Sequence, residues 1–417
     1  MFDTGQTMAS GGGAPNPVSA PIFEQHPQRG VIQAEAHARP PLPIAGETAE
    51  VWHWVLTDVD PAQLERAGID PVNRHELVQL DEGLLRLERH TEFLSATFLG
   101  TGAPTGEALK ILSACKGLQL TGVRIVFRAS ADPALAERLF HANRQFGGLV
   151  CDGSVMVRTD FQVGPDSMVD YLVEGPFASA YERGLMAKWL IDLETYRIAS
   201  LLALPLVRAS SPRLEKLEVR AAAQTQALSE LDDDAMSAAV DTLSGLLAEA
   251  SGLQAETRFR IAASSAYYQL VRDRLRLLQE RAAPGRQTLT DFVEHRLAPG
   301  MKTVFAFERR AADLSQTVAA AMDLARTRIE RRLQLQNQEL LASMERRAHQ
   351  QVHLAQAVEG LSVAAITYYI VSLIAKELES LHIEGLPDKL IVAVSIPVVA
   401  GLVWFAAHRA RKAVEKL

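Results

Sequence analysis

A chain of 417 residues has room for two or three domains at ~100–200 residues each. With 48% hydrophobic and 22% charged residues it is too apolar to be disordered throughout and too charged to be a polytopic transporter. Its formal net charge of −7 excludes general nucleic-acid binding, because neutralising phosphates needs a basic surface.

In chain order, residues 1–23 are rich in Gly, Ser, Ala and Pro and carry no apolar run, which reads as a disordered leader. Short apolar or alternating runs begin at Val51: VWHWVL (51–56), LLRLERH (84–90), EFLSATFL (92–99) and GVRIVFRA (122–129) predict strands. PALAERLFHANRQF (133–146) predicts a helix ending at Gly147-Gly148. LVCDGSVMVRTDFQV (149–163) and SMVDYLV (167–173) predict further strands. Residues 24–175 therefore read as one α+β domain. The two cysteines, Cys115 and Cys151, offer neither a disulfide framework nor metal-ligand spacing and point to a reducing compartment.

Residues 176–300 read as a helical region. Leu185, Trp189, Leu193 and Tyr196 are at helical spacing within 178–204, and Pro205 is expected to stop that helix. Stretches 212–231 and 235–283, rich in Ala, Leu, Gln and Arg, predict a helical hairpin closed by Pro284-Gly285. The Asp232-Asp233-Asp234 run between them fits N-capping and the helix macrodipole better than a cation site. After Pro299-Gly300, residues 301–359 carry neither proline nor glycine and read as a stalk helix. Its seam of Leu314, Val318, Ala321, Ala325, Ile329, Leu333, Leu340 and Met344 fits a self-associating coiled coil and a helix packed in a bundle equally well.

Residues 360–408 hold two uncharged runs, GLSVAAITYYIVSLIA and LIVAVSIPVVAGLVWFAA, joined by the polar connector KELESLHIEGLPDK and followed by a basic tail, 409–417. The first run makes only about 24 Å of helix, so its ends must borrow flanking side-chain stems to cross a ~30 Å hydrocarbon slab. Together they predict a transmembrane hairpin. Arg346 and Arg347 before it and Arg409, Arg411, Lys412 and Lys416 after it predict that both termini face the cytoplasm. Trp404 suits an interfacial belt, whereas Tyr368 and Tyr369 lie mid-helix and are expected to pack against another helix, which favours a homo-oligomer.

No phosphate loop, dinucleotide fingerprint, nucleophile elbow, zinc motif or Cys-x-x-Cys pair occurs, and neither cofactor nor metal is expected. The candidate polar cluster comprises His37 and Arg39; Arg89, His90 and Glu92; Arg158 and Asp160; and Glu194 and Arg197. Each charge near a strand end can close the fold as an ion pair or line a ligand pocket. Glu194 and Arg197, three apart on a helix, suit an ion pair. His37 and His90 have the chemistry of metal ligands or proton carriers, but they lie on separate segments.

The stretches HPQRGVIQAEAHARPPLP, LERHTEFLSATF, LIDLETYRIASLLALP, LTDFVEHRLAPGMKT and RRAHQQVHLAQAVEGLSVAAITYYIV resemble, in this order, a bacterial domain-of-unknown-function family of uncharacterised membrane-anchored proteins. The resemblance implies a carboxyl-terminal membrane anchor and no assigned reaction. In layout alone the chain is similar to the CorA magnesium-channel superfamily, although the Gly-Met-Asn signature is replaced here by IAKELESL.

The expected fold is an α+β amino-terminal domain, a long-helix, coiled-coil-like region and a two-helix transmembrane hairpin. The expected role is scaffolding, sensing or assembly at the bacterial inner membrane, with the lipid bilayer as partner. Two alternatives stand beside it. One is a CorA-like channel lined by Ser362, Thr367, Tyr369 or Ser372. The other is a membrane-bound enzyme whose pocket gathers His37, Arg39, His90, Glu92, Arg158 and Asp160.

Overall fold

Alternating apolar residues build a single mixed sheet of nine strands in the computed structural model, which describes residues 24–30, 32, 40–66, 74–140, 144–232, 235–380 and 388–414. The strands are β1 (Thr48–Thr57), β2 (His75–Leu80), β3 (Gly83–Arg89), β4 (Leu94–Gly100), β5 (Leu118–Arg128), β6 (Gly148–Val150), β7 (Val155–Val163), β8 (Val169–Glu174) and β9 (Arg281–Ala282). Their order across the sheet is β2-β3-β4-β1-β5-β8-β7-β6-β9. The β5–β8 pair is parallel and the other pairings are antiparallel. The helices are α1 (Pro61–Arg66), α2 (Gly106–Ala114), α3 (Pro133–Leu139), α4 (Ala180–Ser200), α5 (Ala203–Ala227), α6 (Ala235–Leu278), α7 (Leu289–Ser380) and α8 (Asp388–Val414).

The period-2 pattern of the central strands supplies two apolar faces, and each face finds its own helices. Val123, Ile125 and Phe127 of β5 and Tyr171 and Val173 of β8 pack with Met186, Leu190 and Leu193 of α4, Val271 and Leu275 of α6, and Val293 and Leu297 of α7. On the other face, Trp52, Leu85 and Phe98 meet Ala108 of α2, Leu87 and Ala96 meet Leu64 of α1, and Val126 and Leu172 meet Ala136 of α3. Each fully buried side chain of this size contributes roughly 1.5–3 kcal/mol.

The chain divides into two compact units. Unit 1 is Met1–Arg213 with Leu253–Ala311 and contains the sheet; unit 2 is Leu214–Gly252 with Ala312–Leu417. The sheet's unit is therefore not contiguous in sequence and does not end at residue 175, because the helices that cover it come from both sides of residues 214–252. In unit 2 the buried positions Leu214, Leu217 and Ala221, then Met236, Ala239, Leu243 and Leu246, then Leu314, Val318, Ala321 and Ala325 recur at helical spacing. The expected stalk seam is thus buried within the chain as far as Ala325, whereas Leu333, Leu340 and Met344 are exposed.

Several elements differ from the sequence expectation, each for a physical reason. The helix predicted for 133–146 ends at Leu139, because Phe146 bridges Thr159 and Gln287 and stacks its ring near Phe161 and Phe292. Pro205 does not stop a helix but sits in the first turn of α5, where its missing N–H has no partner to lose. Pro212 lies inside α5 and Pro299 inside α7. Around Pro299, burial of Leu297, Met301 and Val304 holds the helix through the gap, and Gly300 leaves room for Leu201, whose Cδ2 would be 2.9 Å from an added Cβ. Asp232 accepts the Ala235 N–H at 3.0 Å, capping α6 as expected, whereas Asp233 and Asp234 lie outside the described residues.

Gly184 has no space for a side chain. A Cβ there would run into the Leu42 carbonyl oxygen, since residues 41–44 lie against α4 and the Ile44 N–H donates to the Ala180 carbonyl at 2.9 Å. Gly184→Ala is expected to destabilise unit 1 by about 1–3 kcal/mol. Hydrogen exchange of the full-length protein in detergent checks this: protection falls first in the peptide containing Ile44.

Candidate functional site

On the face of the sheet toward α4, the β3-β4-β1 end breaks the apolar pattern. Arg86 and Glu88 alternate along β3, Ser95 and Thr97 along β4, and His53 comes from β1. The register aligns His53, Thr97 and Arg86 as one cross-strand row and Ser95 and Glu88 as the next. Opposite them α4 presents Lys188, Asp192, Thr195 and Tyr196, which spacing by three and four places on one helix face. Arg274 of α6 completes the ring around a cavity of about 220 Å³ within unit 1. His90 and Phe93, from the turn closing the β3–β4 hairpin, stand at its exposed rim with their rings 4.5 Å apart.

The polar groups hold one another in place. His53 Nδ1 and Thr97 Oγ1 are 2.8 Å apart, and His90 Nε2 and Ser95 Oγ are 3.3 Å apart. Arg274 Nε donates to Asp192 Oδ2 at 2.8 Å, and Arg86 Nε lies 3.4 Å from Glu88 Oε2. Burial, with the positive fields of Arg86 and His90 added, lowers His53 to about 3 and keeps it neutral. Burial likewise raises Asp192, against the pull of Lys188 and Arg274. It pushes Tyr196, stacked on Tyr267 at 5.6 Å, up to about 12. The site is therefore a hollow lined by three basic side chains, Arg86, Lys188 and Arg274, and two acidic ones, Glu88 and Asp192. Among the described residues no group of three or more His, Cys, Asp or Glu converges to hold a metal.

Of the residues singled out in the sequence, His90 reaches this cavity. Arg89, His90 and Glu92 also border a second hollow with Asp58 and Leu64. Glu92 accepts from Arg260 at 3.0 Å and from the Tyr267 hydroxyl at 2.9 Å, tying the hairpin turn to α6. Arg158 pairs with Glu174 on the neighbouring strand β8, and Asp160 accepts the Gln162 N–H at 3.0 Å. Glu194 and Arg197 form a bidentate pair at 2.6 and 2.9 Å, and the Tyr171 hydroxyl lies 3.4 Å from Glu194. His37 and Arg39 lie outside the described residues.

The described members of the expected enzyme pocket, His90, Glu92, Arg158 and Asp160, do not meet in one concavity. Five strand spacings separate β3 from β7, roughly 24 Å at ~4.8 Å each. What sequence reasoning missed is His53, Arg86, Glu88, Ser95, Thr97, Lys188, Thr195 and Arg274. The signal was present in LLRLER and LSATFL as polar residues at every second position of strands otherwise apolar enough to be buried.

Two measurements follow. Because His53 titrates near 3 in the folded chain and near its ordinary 6.5 when unfolded, its contribution to stability is complete above pH 6.5 and is lost as pH falls toward 3. His53→Asn, which keeps a partner for Thr97, is expected to flatten the fall of the thermal midpoint between pH 6.5 and 4. Glu194→Gln, which leaves buried Arg197 without its countercharge, is expected to cost about 3 kcal/mol in denaturant titration.

No curated protein and no solved structure matches the chain. One family model, described as a protein of unknown function (DUF3422), matches residues 24–414. That span takes in the sheet, the helices that cover it and both apolar carboxyl-terminal helices, so the chain belongs to the DUF3422 family.

Proposed function

We propose that the protein is anchored in the bacterial inner membrane by residues 360–408 and works there as a scaffold or sensor, its α/β unit facing the cytoplasm. One observation carries this reading: most of the large apolar side chains described in both helices are exposed or half-buried. Leu361 is 77% exposed, Tyr368 70%, Tyr369 68%, Leu402 64% and Trp404 60%. Two helical segments, within Leu289–Glu377 and at Val392–Arg409, are long and apolar enough to cross a bilayer. Exposure of this extent over a continuous surface demands an apolar covering.

Three hydroxyls of these helices are satisfied by their own backbone, as lipid requires. Ser362 donates to the Val358 carbonyl at 2.8 Å, Thr367 to Val363 at 2.7 Å and Ser395 to Val392 at 2.8 Å. The exposed stretch of α7 through Leu333, Leu340, Leu341 and Met344 supports self-association next to the membrane.

Alkaline extraction of membranes is expected to leave the full chain in the pellet. Recovery of the full chain as a soluble protein without detergent would end the reading. For orientation, a maleimide that does not cross the inner membrane is expected to label the Glu384→Cys variant in intact spheroplasts while leaving exposed Cys151 unlabelled until lysis.

A further inference from the structure

We propose that the unit 1 cavity is a binding site for a small organic anion, a carboxylate or phosphorylated metabolite of roughly ten non-hydrogen atoms. The size follows from the volume: an engineered cavity of ~150 Å³ admits benzene, and this one measures about 220 Å³. The sign of charge follows from what the lining has left to give.

Both acids of the cavity are engaged. Asp192 is held by Arg274, and Glu88 lies within 3.5 Å of His75 as well as near Arg86. The unspent capacity belongs to donors. Arg86 Nη1 donates to the Pro40 carbonyl at 3.4 Å, but its Nε is buried without a hydrogen bond, since its approach to Glu88 has the distance of an ion pair but not the alignment. Thr195, only 4% exposed, borders the cavity, and its buried hydroxyl has no partner among the described residues. Lys188, one helical turn before Asp192, is half-buried at the same wall and has no ion pair within 4 Å among the described residues.

A buried donor without a partner costs more than a hydrogen bond gains, so two on opposite sides of one hollow, Arg86 on β3 and Thr195 beside Lys188 on α4, mark a place prepared for acceptor oxygens. A guanidinium and an ammonium in a partly desolvated hollow bind an oxyanion more strongly than they would in water. The hydroxyls of Ser95, Thr97 and Thr195 suit a ligand that also carries hydroxyl groups. The inference does not depend on membrane anchoring, since every residue it uses belongs to unit 1.

The test uses the full-length protein in detergent at constant ionic strength, with malate and glycerol 3-phosphate as the anionic probes and glycerol as the uncharged one. At about 100-fold excess over its dissociation constant, at least one anion is expected to raise the thermal midpoint saturably by roughly 5 °C, and glycerol to leave it unchanged. Isothermal calorimetry is expected to give one site per chain. Lys188→Met is expected to abolish the shift. Thr195→Val is expected to weaken it at least tenfold in affinity while leaving the midpoint without probe unchanged or higher, because an isosteric methyl replaces an unpaired hydroxyl. The proposal is overturned if neither anion produces a saturable shift, or if the shift survives both substitutions. It is equally overturned if Thr195→Val lowers the midpoint without probe, which would assign the hydroxyl to a structural hydrogen bond.

Discussion

A nine-stranded sheet cannot leave either face to water when both are apolar, and the rest of unit 1 is arranged around that constraint. Short helices inserted between strands, α1, α2 and α3, cover one face. The other face is covered by α4 together with parts of α6 and α7 that lie roughly a hundred residues or more beyond β5 and β8, the strands they protect. Where α4 crosses the β3-β4-β1 end the apolar contact gives way to His53, Arg86, Glu88 and Thr97, and the cavity exists because polar side chains from both layers meet there without filling the space.

The charged groups of unit 1 fall into two energetic classes. Glu194 with Arg197 and Arg158 with Glu174 are taken out of water as pairs, each acid matched by a guanidinium, which offsets the cost of desolvation, although Arg158 Nε has no hydrogen-bond partner among the described residues. They tie elements together: α4 internally, and β7 to β8. The cavity differs because its donors outnumber its available acceptors. Among the described residues, buried polar atoms without a partner also occur at Glu76, Glu92, Thr121, Arg158 and Arg183, and the two that belong to residues around the cavity are Arg86 Nε from the sheet and Thr195 Oγ1 from α4.

Much of this architecture was legible in the sequence. Period-2 runs located β1, β3, β4, β5, β7 and β8, because Val, Ile and Phe at alternate positions leave few other ways to bury them. Edge strand β2 and the two-residue β9 were not legible, since their pairing depends on neighbours rather than on their own apolar content. Pro205 and Pro299 misled for different reasons: Pro205 fits the first turn of α5, where no N–H bond is lost, and packing of Leu297, Met301 and Val304 carries α7 past Pro299. For the site, charged residues beside strands drew attention to Arg158, Asp160 and Glu194, which turn out to be engaged within the fold, while the cavity's own residues hid inside strands as ordinary alternation. Which polar face meets which helix is a question of tertiary register, and a single sequence does not carry it.

The two rims of the sheet are unlike, and the difference bears on how the protein avoids growing by strand addition. At one rim β9 offers only Arg281 and Ala282, too little open backbone to template another strand. At the other, β2 runs for six residues with Leu77 59% exposed, an arrangement that invites edge-to-edge pairing between copies. His75 and Glu76 at the start of β2 and Gln79 near its end are what stand against it. Among the described residues, one border of the sheet is thus protected by brevity and the other by polarity.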